Sequence, residues 1–201
     1  MPRTESTMLP LGTVAPAFSL PNVATGDPVS LDTFDGSKAL LVVFASPHCP
    51  FVQHVKYELA QLGHDLIEQG LAIVGISSND VAQYPDDAPD QIQAFAQAVD
   101  LPFPFVFDES QEVAKAYQAA CTPDFFLFDG DRRLVYRGQL DSSRPGNEIP
   151  VTGQDLREAI AAVLTGQPVS AEQKPSIGCN IKWKPGNEPV YYGAASAVAT
   201  K

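Results

Sequence analysis

The chain has 201 residues, 44% hydrophobic and 18% charged, which suits one soluble globular unit with a core of its own. Its net charge of −11 argues against nucleic acid and anionic membrane surfaces as partners, since both need a basic face. Three cysteines with no apolar export segment near the start argue against a disulfide framework and for a reducing cytoplasm.

Ala17–Leu20 and Pro28–Leu31 read as an N-terminal β-hairpin. Ala39–Ala45 is an unbroken apolar run, the mark of a strand covered on both faces. Pro50 to Gln69 follows as a helix, with Phe51, Val52, Val55, Leu59, Leu62 and Leu66 at helical spacing and Gly70 as its stop. Leu71–Ile76 is a second buried strand, Pro89–Val99 a helix, Phe103–Phe107 a short strand, and Ser110–Ala120 a helix capped by Ser110. Asp124–Phe128 and Arg133–Arg137 flank the turn 129–132 and read as an antiparallel hairpin. Thr152 to Leu164 reads as a last helix, with Thr152 as its cap. The order predicts an α/β fold, with helices flanking a mixed central sheet.

The domain is expected over residues 11–166. Residues 167–201 form an irregular extension packing on it, anchored around Ile177–Trp183, with Ala194–Lys201 disordered. The 18 prolines are scattered and punctuate loops. No run approaches the 18 apolar residues of a membrane span. Between Asp80 and Glu112 stand eight acidic residues and no basic one, which reads as a solvated face.

The chemistry centres on Cys49. It follows the first buried strand and precedes a helix starting at Pro50, so the helix dipole and free backbone N–H groups favour its thiolate. His48 adds a positive charge when protonated. Such a thiolate is a nucleophile. Cys49, His48 and His54 supply too few ligands for a metal site, and no metal or other cofactor is expected.

The segment ALLVVFASPHCPFVQHV (39–55) resembles the active-site strand, turn and helix of the thioredoxin-like superfamily. Val14–Leu20 resembles the opening of the peroxiredoxins, and Cys121–Phe128 the segment that carries the fold's cis-proline. YRGQLDSSRPGN and SIGCNIKWKPGNEPVYY resemble a peroxiredoxin-like branch of the alkyl hydroperoxide reductase and thiol-specific antioxidant type. The resemblance implies a thioredoxin-like fold and a thiol oxidoreductase. The chain departs from thioredoxins at Val52, where their second cysteine would stand, and at Val43, where their buried acid would stand. Ser46-Pro-His-Cys49-Pro50 fits the peroxiredoxin spacing instead, although Val42 replaces a proline of that pattern.

The resemblance implies Cys49 as the catalytic sulfur, with Cys121 as resolving thiol and, failing it, Cys179 or an external thiol. Pro123 in cis keeps the Thr122–Pro123 segment open to a substrate strand. Ser46 donates to the thiolate or to a peroxide oxygen, His48 flanks it, and Arg144 supplies the cation. The substrate is a peroxide or a disulfide, and the reductant an external thiol. The other reading is a binding or redox-sensing module without turnover.

Overall fold

The computed structural model describes residues 3–192. In chain order it has β1 (Arg3–Glu5), β2 (Ser19–Pro21), β3 (Pro28–Ser30), β4 (Ala39–Phe44), α1 (Pro50–Leu66), β5 (Leu71–Ser77), α2 (Pro89–Val99), β6 (Phe105–Phe107), α3 (Glu112–Ala116), β7 (Cys121–Thr122), β8 (Asp124–Asp129), β9 (Leu134–Tyr136), α4 (Gln154–Leu164) and β10 (Ile177–Asn180). Residues Ala194–Lys201, expected to be disordered, lie outside the described residues.

The central sheet has the order β6-β5-β4-β8-β9. β4 and β5 are parallel, as are β5 and β6, whereas β8 runs antiparallel to β4 and β9 antiparallel to β8. All six residues of β4 are buried, because each face of the sheet has its own apolar layer. Leu41 and Val43 point to one side, with Leu59 and Leu62 of α1, Ile92 of α2 and Ile160 of α4. Leu40, Val42 and Phe44 point to the other, with Tyr117, Ile181 and Trp183. Alternation along one strand thus serves two cores, and each large side chain so buried stabilises the fold by about 1.5–3 kcal/mol. Tyr117 sits at the centre of the second layer, its ring 5.6 Å from that of Phe44 and 5.8 Å from that of Phe126.

Two helices are shorter than their sequence suggests. The helix expected over Ser110–Ala120 spans only Glu112–Ala116, and Ser110 is not its N-cap. Gln111 occupies that position with φ of 66°, and the buried Asp108 accepts the Ala114 amide at 2.9 Å. A buried carboxylate six residues upstream thus caps this turn together with the Ser110 hydroxyl, which accepts the Glu112 amide at 3.3 Å. Similarly, α4 starts after Gly153 rather than after Thr152, and Asp141 accepts the Thr152 and Gly153 amides at 2.7 Å each.

The anchored segment expected at 177–183 begins as a strand. β10 lies between β1 and β7 in a second sheet, antiparallel to both. It carries no period-two pattern because partners on both edges satisfy its backbone whatever its side chains are. Gly178 is required here, since a Cβ at this position would overlap the Thr122 carbonyl. The acidic run is not uniformly solvated. Asp80, Asp87 and Asp108 are buried, each accepting hydrogen bonds from neighbouring donors. Burial of a carboxylate is tolerated where such partners surround it.

Candidate active site

Cys49 is the N-cap of α1, with Pro50 in the first turn, and it is fully buried. Two local features hold it. Its amide donates to the Ser46 carbonyl at 3.1 Å, closing the turn after β4, and Pro50 needs no N–H partner at the helix start. Across the site, the Thr122–Pro123 peptide is cis. The Thr122 carbonyl accepts the Cys49 thiol proton at 3.1 Å.

β10 brings a second thiol to this point. Cys179 stands opposite Thr122 in the β10–β7 register. Directly opposed residues share a face of the sheet, and Thr122 is the β7 residue that meets Cys49. Cys179 and Cys49 thus lie in the same buried layer, on either side of Thr122. The neighbouring Cys179 thiol is the main reason the Cys49 thiol is pulled down to about 5; burial opposes the shift, and the Thr122 side chain and the amides of Val52 and Cys179 add to it. The Cys179 thiol is pushed up, first by Cys49 beside it and then by burial. Proton loss thus belongs to the pair, which keeps one proton between two sulfurs after the first ionisation.

Cys121, expected to be the resolving thiol, lies within reach of the Cys49 charge but bonds other partners. It is buried, with its sulfur 3.5 Å from the Pro123 carbonyl oxygen and 4.0 Å from that of Ser176. Burial pushes its thiol well up, so it stays protonated.

A buried carboxylate absent from the sequence reading organises the turn before Cys49. Asp87 has no exposed surface and accepts from Ser46 Oγ at 2.7 Å and from Asn79 Nδ2 at 2.7 Å. His48 Nδ1 lies 2.7 Å from Oδ2, the oxygen that also accepts from Asn79, and the imidazole stacks on Tyr84, parallel to within 2°. The Ser46 hydroxyl is thus directed at Asp87 and not at the Cys49 sulfur. Asn79 Oδ1 accepts the Lys182 amide at 2.8 Å, which ties the tail to the same cluster. No spacing rule joins residues 46, 48, 79, 87 and 182. The one signal available was a carboxylate within a turn rich in Pro and Asp, and it reads equally well as surface.

The cation whose charge acts on Cys49 and Cys179 also differs from the one expected. The buried Lys182 ammonium donates to the Asn180 carbonyl at 2.7 Å, and its field reaches Cys179, Cys49 and Asp87. Arg144 instead bonds the carbonyls of Asp141 and Ser143 at 2.6 and 2.7 Å, and its charge acts on Cys121. It lines a narrow cavity with Phe51, His54, Pro123 and Ser176, where its Nε has no partner. His54 bonds Ser143 at 2.6 Å and His48 bonds Asp87, so the two imidazoles are directed to different partners.

Asp124, next to the cis-proline, is fully buried, and burial raises its carboxyl to about 7 despite hydrogen bonds from Ser6 and the Ala120 amide. A carboxyl raised on folding contributes stability that is full below its unfolded value near 4 and lost as pH rises through about 7. We expect the stability of Asp124→Asn relative to the parent to rise between about pH 4 and pH 8, by about 4 kcal/mol at most. Urea unfolding at several pH values measures it, and a pH-independent difference refutes it.

Residues 11–137 match the AhpC/TSA family. A Mycobacterium tuberculosis protein named "Putative peroxiredoxin" is 31% identical over 116 residues, 58% of this chain and 68% of that protein. An uncharacterized conserved protein from Geobacillus kaustophilus superposes with a TM-score of 0.91 at 53% identity, over 92% of this chain and 98% of that one. The thioredoxin domain of a thiol-disulfide oxidoreductase from Bacteroides vulgatus superposes with a TM-score of 0.55 at 22% identity, over 64% of this chain and 88% of that one, and shares its thioredoxin-like fold. No described helix is long and apolar enough to cross a membrane.

Proposed function

The chain belongs to the AhpC/TSA family, and on that premise we propose that it is a thiol-dependent oxidoreductase in which Cys49 attacks the oxidant and Cys179 resolves the product. The observation that carries the reading is that Cys49, at the start of α1 and bonded to the Thr122 carbonyl, shares one buried layer with Cys179, which stands opposite Thr122 in β10. With a hydroperoxide, the Cys49 thiolate displaces alkoxide or hydroxide from the O–O bond and becomes a sulfenic acid. The Cys179 sulfur then attacks the Cys49 sulfur, water leaves, and a Cys49–Cys179 disulfide forms. The two electrons end on the peroxide, and an external thiol returns them by reducing the disulfide. Thr122 positions the Cys49 sulfur, and Lys182 supplies positive charge to the pair. Asp87, through Ser46 and His48, holds the turn that presents Cys49.

Thiolate absorbance near 240 nm tests the reading. In a Cys121→Ser background the first thiolate is expected to appear with a midpoint near pH 5. Cys179→Ser removes the largest cause of that depression, so the midpoint is expected to move up towards the free value of about 8.5. A midpoint above about 8 with both thiols present refutes the reading.

The full burial of Cys49 favours a second reading, a redox sensor that reacts once and does not turn over. Consumption of many equivalents of hydrogen peroxide with excess dithiothreitol supports the enzyme, and consumption of one equivalent supports the sensor.

A further inference from the structure

Chemistry at a sulfur held as Cys49 is held can be reached in two ways. A small oxidant diffuses to it, or an extended polypeptide carries a disulfide to it. An extended chain docks by adding a strand to a free sheet edge. Beside Cys49, the backbone that offers such an edge is β7, the two residues before the cis peptide, and the Thr122 carbonyl lies 3.1 Å from the Cys49 sulfur.

In this chain the edge is already taken. β10 pairs antiparallel with β7, with Cys179 opposite Thr122 and Asn180 opposite Cys121. Contacts on either side hold it there. The Ile181 amide donates to the Ala120 carbonyl at 3.1 Å, and Ser176 Oγ to the Pro123 carbonyl at 2.7 Å. The other edge of β10 is covered by β1. Ile181 and Trp183, just beyond the strand, are buried in the core. Gly178 lets the two backbones approach so closely that any Cβ would collide with the Thr122 carbonyl.

We propose that β10 is a built-in occupant of the position a polypeptide substrate would need, so that the site serves low-molecular-weight oxidants, hydroperoxides and small disulfides, and excludes disulfide-bonded proteins. This rests on the proposed role of Cys49 and adds its substrate class. For a small disulfide RSSR, the Cys49 thiolate attacks one sulfur and the S–S bond breaks. One RS⁻ leaves and takes up a proton. The Cys179 sulfur then attacks Cys49 in the mixed disulfide and expels the second RS⁻. The cysteine pair loses two electrons, and the oxidant becomes two thiols. A protein disulfide of the same chemistry must first detach β10, which also removes the resolving thiol.

The test compares the reduced protein with hydroxyethyl disulfide and with insulin, two reagents bearing the same bond, and follows Cys49 by mass spectrometry. The small disulfide is expected to react roughly a hundred-fold faster, because insulin must wait for the strand to open. A preference of about ten-fold or less overturns the proposal, and a greater one supports it. In Gly178→Val, shown to be folded by circular dichroism, β10 is displaced. The preference is expected to fall below about ten-fold, with a Cys49–insulin mixed disulfide trapped; an unchanged preference overturns the proposal. If that variant does not fold, Cys179→Ser keeps the strand. It is expected to stop at a mixed disulfide with the small reagent and still to exclude insulin; capture of insulin as fast as of the small reagent overturns the proposal. Failure of both reagents with the parent protein, and of hydrogen peroxide, refutes the role of Cys49 itself.

Discussion

Cys49→Ser is expected to abolish reaction with hydrogen peroxide, whereas Cys179→Ser is expected to stop it halfway. In the parent protein, one equivalent of peroxide is expected to give a product two hydrogens lighter, with Cys49 and Cys179 joined. Cys179→Ser is expected to accumulate the Cys49 sulfenic acid, one oxygen heavier, and to lose turnover by about a hundred-fold or more when the external thiol is limiting. Cys121→Ser is expected to behave like the parent, because its sulfur lies against the Pro123 and Ser176 carbonyls. Intact mass after quenching, with peptide mapping, distinguishes these products. A parent-like disulfide in Cys179→Ser would return the resolving role to Cys121.

The second large effect is expected at Asp87. Its carboxylate gathers Ser46, Asn79 and His48 in a site without solvent. Asp87→Ala leaves the Ser46 and Asn79 donors buried without an acceptor and frees the imidazole. Each orphaned buried donor costs about 1–3 kcal/mol, so the variant is expected to lose about 3 kcal/mol or more. Asp86→Ala, one residue away and exposed, is expected to stay within about 0.5 kcal/mol of the parent. Urea denaturation reads both. Because Ser46 accepts the Cys49 amide through its carbonyl, Asp87→Ala is also expected to slow Cys49 oxidation. Equal losses in the two variants would refute a special role for Asp87.

Much of this molecule was legible residue by residue. The apolar run at 39–45 and the helix starting at Pro50 place Cys49 at a strand-to-helix turn, because strand and helix periodicity are local properties. The hairpin ending in β9 and the helix Pro89–Val99 follow from equally local signals. What failed was of two kinds. Helix starts at 112 and 154 lie later than Ser110 and Thr152 suggest because buried carboxylates, Asp108 and Asp141, take up further amides at those turns beside the two hydroxyls. The ranking of the thiols changed because the Cys121 sulfur is held against the Pro123 and Ser176 carbonyls, whereas pairing with β7 brings in Cys179 across a separation in sequence that no local rule can bridge.

The sequence by itself determined a mixed α/β fold and one thiol at the start of a helix that opens on Pro50; the cis-proline across from it was implied only by the resemblance to the thioredoxin-like superfamily. The fold and the place of that thiol follow from side-chain periodicity, from the fixed φ and missing N–H of proline, and from the dipole of any helix that begins after a cysteine. Only the tertiary structure decided which sulfur, which carboxylate and which cation stand beside that thiol. Cys179, Asp87 and Lys182 are brought there by β10 and by buried hydrogen bonds between remote segments. Those contacts depend on the register of two short strands and the burial of one carboxylate, quantities that exist only once the chain has closed on itself.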